Sequence, residues 1–261
     1  MYGRHSFSGW QGRPAAGRWA HCTVSGGESA DPGVAMDAFE VLWGERGAPR
    51  RGPRPTLTVG ELAKAGIDLA DREGLGAVTM QRVAEALGVT KMATYRYVPG
   101  KDELIALMVD TAMGEPPELS HIDGGWRPQL KAWTMAMFDL MRAHPWALRA
   151  TVGRRVTGPN ELGWVEKALG ALAEARMDGG QKMDVVVALT GQIRAIIEQA
   201  ADTSEEDIAE GWAKVLATRA ERFPHVVKAL AESEQHKSRD QGLEFGLERI
   251  LDGVELYLSR Q

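Results

Sequence analysis

Apolar residues recur every three to four positions along nearly the whole chain from residue 58 onward. This is the period of an amphipathic helix, and no alternating apolar and polar run bounded by turn residues interrupts it. The pattern therefore predicts an all-α protein. Beyond a Pro/Gly break at residues 114–117, the predicted helical segments are 126–143, 145–153, 161–176, 181–200, 205–220, 224–233 and 241–259.

Threonines are placed to cap the first helices of the series. Thr58 precedes a helix with Glu61 at its third position, so each side chain can bond the other residue's backbone N–H. That helix ends near Gly74. Thr79 can cap a second helix, which Gly88 stops in the left-handed conformation that glycine tolerates.

A third, short helix follows at once. Thr90 can cap it, and the pattern continues it through Tyr97. Pro99 and Gly100 then break the chain, and Lys101 starts a fourth helix.

The second and third helices have the spacing of a helix-turn-helix. They are joined by Leu87-Gly88-Val89, where Gly88 makes the turn and the small side chain of Ala84 permits a close, steep crossing. The helix that Thr90 caps is too polar and aromatic for an ordinary buried helix. We therefore predict that its first turn meets base edges in a DNA groove.

Four side chains near this turn have the chemistry of base recognition. Lys91 can donate to guanine acceptors, and Gln81 can pair with an adenine edge. Met92 and Ala93 can contact thymine methyl groups.

Hydroxyl and ammonium donors along the same edge fit DNA phosphates. They belong to Thr79, Tyr95, Tyr97 and Lys101, and two of these residues stand at positive helix termini. The alternative is that the two tyrosines only pack the three-helix core and that Lys101 is a solvated cap. The predicted DNA contacts are Thr79, Gln81, Thr90, Lys91, Met92, Ala93, Tyr95, Tyr97 and Lys101.

These motifs together resemble the TetR family of transcriptional regulators over about residues 56–112. One departure is Thr94, where the family usually has a core leucine. The resemblance implies an N-terminal three-helix DNA-binding domain and a C-terminal helical domain for ligand binding and dimerisation. It implies a repressor that a small hydrophobic molecule releases from a palindromic operator, although activation stays open. The matching elements are Gly74, Thr79, Ala84, Gly88, Val89, Tyr95, Tyr97 and Lys101.

The segment 126–147 resembles the first pocket helix of the tetracycline-responsive subgroup. Met and Trp side chains lie there at helical spacing, which suits a cavity for a flat, apolar or aromatic effector, with Gln192 or Arg194 as polar anchors. The competing interpretation is an ordinary core stripe. The predicted ligand contacts are Trp133, Met137, Met141, Trp146, Trp164 and Gln192.

Apolar stripes at 186–197 and 247–258 predict a homodimer, because two such helices from each subunit can form a four-helix bundle. An intramolecular core explains the same stripes without a partner.

Residues 1–35 are rich in Gly, Ser and Arg without an apolar period, which predicts disorder, and 46–55 form a Pro/Gly/Arg segment. That segment is a basic arm for phosphates or a solvated linker. We divide the chain into a disordered extension with the arm (1–50), the helix-turn-helix domain (51–102) and the ligand-binding and dimerisation domain (103–261).

Composition narrows the function further. The net charge of −5 arises mainly in residues 115–261, with 23 acidic and 18 basic side chains, so it does not exclude a small DNA-reading face. One cysteine and six scattered histidines predict no disulfide, metal or cofactor. No nucleophile elbow, phosphate loop or zinc motif indicates an enzyme.

No apolar segment predicts a membrane span or a secretory signal, so we expect a cytoplasmic protein. The rival to a DNA-binding regulator is a helical interaction module or ligand sensor that does not bind DNA.

Overall fold

The computed structural model describes residues 32–44, 57–152, 155–202, 205–236 and 242–261. These residues are helical with short connections and include no strand, as the pattern predicts. The helices are α1 Pro32–Trp43, α2 Val59–Glu73, α3 Met80–Ala86, α4 Lys91–Thr94, α5 Lys101–Met113, α6 Trp126–Ala143, α7 Pro145–Ala150, α8 Pro159–Ala171, α9 Gly179–Asp202, α10 Glu205–Arg219, α11 Pro224–His236 and α12 Gly242–Ser259. None of these helices is both long and apolar enough to cross a bilayer.

The predicted threonine caps are confirmed. The Glu61 backbone N–H donates to Thr58 Oγ1 at 3.2 Å, and the Thr58 N–H donates to the Glu61 carboxylate at 2.7 Å. Thr79 and Thr90 accept in the same way from the third residue of their own helices. Gly88 has a φ of +65°, so a left-handed residue ends α3 as expected. We call α2, α3 and α4 the head. The start of each of its helices is therefore fixed by local sequence.

The end of the helix that Thr90 begins differs from the sequence prediction. The helix begun by Thr90 ends at Thr94 rather than Tyr97, because the N–H groups of Tyr97 and Val98 both turn back to the Thr94 carbonyl. Val98 precedes Pro99, whose ring disfavours helical backbone in the preceding residue.

The disorder predicted for residues 1–50 is wrong for residues 32–43, which form α1. Ala38 is buried, Val41 and Leu42 pack against the core, and α1 lies against α5. The Trp43 indole N–H also donates to the Thr157 carbonyl at 2.8 Å. Residues 1–31 and the predicted basic arm at 46–55 lie outside the described residues.

α5 belongs to both halves of the molecule. Its first turns pack against α2 in the head, where Leu62 and Leu104 are fully buried. Its last turns pack against α7 and α8 in the C-terminal domain, where Trp133 of α6 is fully buried. The boundary predicted after residue 102 thus falls inside a continuous helix.

α9 and α12 pack against each other along the opposite side of the C-terminal domain. Their predicted stripes are mostly buried within the chain itself, which agrees with the intramolecular alternative for those residues. The buried members are Val186, Leu189, Ile193, Ile197, Leu247, Leu251 and Val254.

The contact of α2 with α5 depends on one glycine. A Cβ at Gly66 would lie 2.6 Å from the sulfur of Met108, which is fully buried. We expect Gly66→Val to lower the free energy of unfolding by about 1 to 3 kcal/mol through overpacking. Gly60→Ala is the control on the same helix, because a Cβ there meets nothing within 4 Å. Urea unfolding that gave both variants the same stability would contradict this packing.

Candidate DNA-reading head and effector cavity

α4 presents one face to solvent and buries the other. Met92 is 73% exposed, Lys91 is exposed, and the Lys91 ammonium lies 5.6 Å from the centroid of the Tyr95 ring. On the opposite face Thr94 is fully buried, and its hydroxyl donates to the Lys91 carbonyl at 2.7 Å. Thr94, the departure from the family pattern, therefore satisfies its polar group within α4 and leaves the outward face free.

The remaining predicted DNA contacts surround this face. Of these, Thr79, Gln81, Thr90 and Lys101 are exposed. Ala93 and Tyr97 are half-buried, and the Tyr97 ring packs against the head core. The tyrosines therefore differ, since Tyr95 projects outward and Tyr97 has a packing role as well.

Neighbouring carboxylates hold two side chains of α3. The Gln81 amide donates one N–H to Glu85 at 2.7 Å, and its second N–H and its carbonyl oxygen stay available for a base. Arg82 forms a two-pronged ion pair with Glu73 of α2 at 2.9 and 2.7 Å. Its hydrogen bond lowers the pKa of Glu73. Arg82 thus fixes α3 on α2, a role that its position in the sequence did not reveal.

The C-terminal domain encloses a cavity of about 210 Å³ between α5, α6, α8 and α9. Trp133 and Trp164 line it with their rings edge to face, 6.1 Å apart. The Trp133 indole N–H donates to the Trp164 carbonyl at 2.9 Å, and the Trp164 indole N–H donates to the Met113 carbonyl at 3.1 Å. Both indole donors are used inside the protein, so the rings offer the cavity mainly apolar surface.

The charged groups at the cavity are already paired. Arg155 forms a two-pronged ion pair with Glu161, which lines the cavity. Arg194 donates to the Leu148 carbonyl at 2.7 Å and to the Thr151 hydroxyl at 3.0 Å. An occupant therefore meets apolar rings and thioethers beside neutralised charges.

Comparison with known proteins agrees with both halves of this arrangement. Residues 62–108 match the model for bacterial regulatory proteins of the tetR family, and residues 117–258 match the tetracyclin repressor-like C-terminal domain. The chain belongs to the TetR family. It is a ligand-responsive DNA-binding transcriptional regulator.

Relatives and solved structures give the same result for this TetR-family chain. It is 34% identical over 251 residues to the HTH-type transcriptional repressor DrrR1 of Streptomyces coeruleorubidus, covering 90% of each chain. It is 24% identical to the class C tetracycline repressor protein of Escherichia coli, covering 74% of this chain and 88% of that one. The Streptomyces coelicolor TetR family protein ActR in complex with (S)-DNPA has a TM-score of 0.64 at 25% identity, covering 79% of this chain and 100% of that one. ActR in complex with actinorhodin, at 24% identity, shares the fold with a TM-score of 0.66 over 79% of this chain and 98% of that one.

The structure brings four of the six predicted ligand residues together. Trp133, Met137, Met141 and Trp164 line the same cavity. Gln192 does not, because its amide donates to the Gly242 carbonyl at 3.1 Å and faces α12. Residues two apart on a helix point in opposite directions, so Arg194, the other candidate anchor, faces the cavity instead.

Trp146 lies at the boundary between the head and the C-terminal domain of this TetR-family chain. Its indole N–H donates to the Asp71 carboxylate of α2 at 2.6 Å, and His144 Nδ1 lies 2.8 Å from the same oxygen. It lines a separate groove there together with Lys101. Trp146 therefore joins the two halves and is not a cavity residue.

Sequence analysis missed several cavity residues, which are less conspicuous than the aromatics. Val186, Thr190 and Ile193 of α9 recur at helical spacing, and that period was assigned to the dimer stripe. Thr151 and Glu161 have no such signal. The missed lining residues are Met113, Leu148, Thr151, Glu161, Val165, Val186, Thr190 and Ile193.

The Trp146 contact gives a stability test. Trp146→Phe keeps a ring but removes the donor to Asp71, and we expect it to lower the free energy of unfolding by about 1 kcal/mol or more, as for a hydrogen bond to a charged group. Leu162→Met is the control, because that side chain is half exposed on α8 and surface changes usually stay within about 0.5 kcal/mol. Equal unfolding midpoints for the two variants would refute the interdomain bond.

Proposed function

We propose that this chain is a cytoplasmic homodimeric repressor that releases a two-fold symmetric operator when a flat, largely uncharged molecule occupies the cavity. One observation carries the proposal: α5 packs against α2 in the head and ends at Met113 in the cavity wall. A change in the cavity therefore acts on the helix that positions the head. The relative DrrR1 is named a repressor, which supports repression and not activation as the effect of DNA binding.

The first turn of α4 reads bases in the major groove, in this proposal. The exposed Lys91 and Met92 contact base edges, together with Ala93 and Gln81. The donors at its rim bind phosphates, and the half-buried Tyr97 does so only through its hydroxyl. The rim residues are Thr79, Thr90, Tyr95, Tyr97 and Lys101.

The proposed effector is aromatic and carries little net charge. Trp133, Trp164 and three methionines supply polarisable apolar surface, while Glu161 and Arg194 already have partners. A charged ligand would have to compete with the Arg155–Glu161 ion pair or with the hydrogen bonds of Arg194 on entry. The ActR structures hold (S)-DNPA and actinorhodin in a similar fold, which supports a small organic effector.

The dimer is supported by apolar side chains that remain exposed on the chain alone. Val187 of α9 and Leu256 of α12 are 41% and 53% exposed, on helices whose other faces form the core. The pair α10 and α11 is exposed along most of its length and carries further large apolar residues. Exposed apolar groups of this size are typical of an interface. Those on α10, α11 and their connection are Trp212, Val215, Phe223, Val227 and Leu230.

In this proposal, the spacing of the two heads across the dimer axis controls DNA binding. They bind one duplex only when their recognition helices are about 34 to 36 Å apart, one helical turn of DNA. An effector weakens binding if it favours a conformation with another spacing, whatever its absolute affinity.

A paired substitution tests the assignment of DNA contacts on operator DNA selected from random sequence. We expect Lys101→Ala to weaken binding on all sequences alike and to reduce the slope of log Kd against log salt by about 1. Lys91→Ala should cost about 1 to 3 kcal/mol and relax specificity at one base pair. Arg142→Ala, at an exposed position on α6 in the C-terminal domain, is the control. Selection that enriches no sequence would favour the interaction module, and unchanged salt slopes would refute the phosphate role of Lys101.

The cavity assignment is tested by filling it. A planar aromatic compound found by thermal-shift screening should stabilise the protein by about 2.7 kcal/mol at one hundred times its Kd. Thr190→Trp places an indole in the cavity and should abolish this stabilisation. Leu162→Trp, on the exposed side of α8, should leave it unchanged. Stabilisation that survives Thr190→Trp would place the effector elsewhere.

A further inference from the structure

The N-terminus of α8 lacks a cap from its own sequence. Gly158 precedes the helix and has no side chain to accept the free N–H groups of the first turn. Asp110 of α5 accepts them instead: its Oδ1 lies 2.9 Å from the Asn160 nitrogen and 3.1 Å from the Glu161 nitrogen. The Asn160 side chain returns a bond from Nδ2 to the Asp110 carbonyl at 2.9 Å. A carboxylate 50 residues away in sequence thus caps this helix.

We propose that Asp110 is a positioning residue of the regulatory response, which couples the cavity wall to the reading head through its cap on α8. This inference rests on the proposed function and names the contact through which that function is transmitted. We call the contacts among Asp110, Asn160 and the Glu161 N–H the α5–α8 joint.

The joint lies between the two sites that it connects. Glu161 belongs to both sides, since its N–H bonds Asp110 and its side chain lines the cavity in an ion pair with Arg155. One turn further along α8, the Trp164 indole lines the cavity and donates to the last carbonyls of α5. An occupant that displaces this part of α8 therefore displaces the end of α5.

Close approach at the joint requires glycine. A Cβ on Gly158 would lie 2.2 Å from Asp110 Oδ1, although the φ of −84° at Gly158 suits any residue. The position is therefore restricted by space and not by backbone conformation. α1 adds a further contact beside it through the bond from Trp43 to the Thr157 carbonyl.

The energetics fit a contact that can be rearranged. Burial raises the pKa of Asp110, and the two backbone N–H groups offset this effect only in part. The two N–H groups thus oppose the cost of burying this carboxylate, so a displacement of α8 that lengthened these bonds would leave it buried with fewer partners.

The test uses Thr190→Trp as an occupant built into the protein, so no effector is needed. Operator affinity is measured by fluorescence anisotropy with selected DNA, with and without Thr190→Trp, in three backgrounds: unmodified, Asp110→Asn and Asp110→Leu. Asn keeps an oxygen that can accept both N–H groups, whereas Leu has a similar size and no acceptor.

We expect Thr190→Trp to weaken operator binding by about tenfold in the unmodified and Asp110→Asn backgrounds, within the usual range of allosteric coupling. In the Asp110→Leu background the loss should shrink to about threefold or less. A tenfold loss that persists with Asp110→Leu would overturn the role of Asp110. No loss in the unmodified background would instead refute cavity-controlled release, and the inference with it.

A second background guards against misfolding of Asp110→Leu. Gly158→Ala wedges the joint open while Asp110 stays in place, and it should reduce the coupling in the same way. Gly170→Ala, in the same helix, is its control because a Cβ there meets nothing within 4 Å. Equal coupling in these two variants would also overturn the proposal.

Discussion

The structure depends on one shared helix. α5 completes the core of the DNA-reading head at Leu104 and forms part of the cavity wall at Met113. Its final turn is bonded to α8 through Asp110 and through the Trp164 indole. Packed helices move as rigid units, and α5 belongs to both the head and the cavity wall. The orientation of the head and the shape of the cavity therefore change together.

The surroundings of α5 determine how this arrangement can change. Arg82 links α3 to α2 within the head through its ion pair with Glu73. Trp146 and His144 bind the head to the C-terminal domain at Asp71, through α7 and not through α8. An effector must therefore work against the Asp71 contact as well as through α8. A response of this kind needs a ligand that binds the two conformations with different affinity.

Features set by neighbouring residues were predictable from the sequence, and features set by distant contacts were not. Thr90 caps its helix and Gly88 turns the chain because each acts within a few residues. Gln192 was misplaced because α9 is apolar toward both the cavity and α12, so periodicity alone does not assign its faces. α1 escaped prediction because its short apolar face is stabilised by contacts with α5, which is distant in the sequence. The Asp110 cap joins residues 50 apart, and no local pattern indicates it.

The most direct test of the central claim is the distance between the two heads. A protein with Cys22→Ser and Ala86→Cys carries one nitroxide label per chain at the exposed end of α3. Pulsed electron paramagnetic resonance then measures the distance between the two labels of the dimer. We expect one narrow distribution for the unoccupied protein and a displaced or broadened one when Thr190→Trp fills the cavity. Superimposable distributions, or no defined distance in either protein, would contradict it.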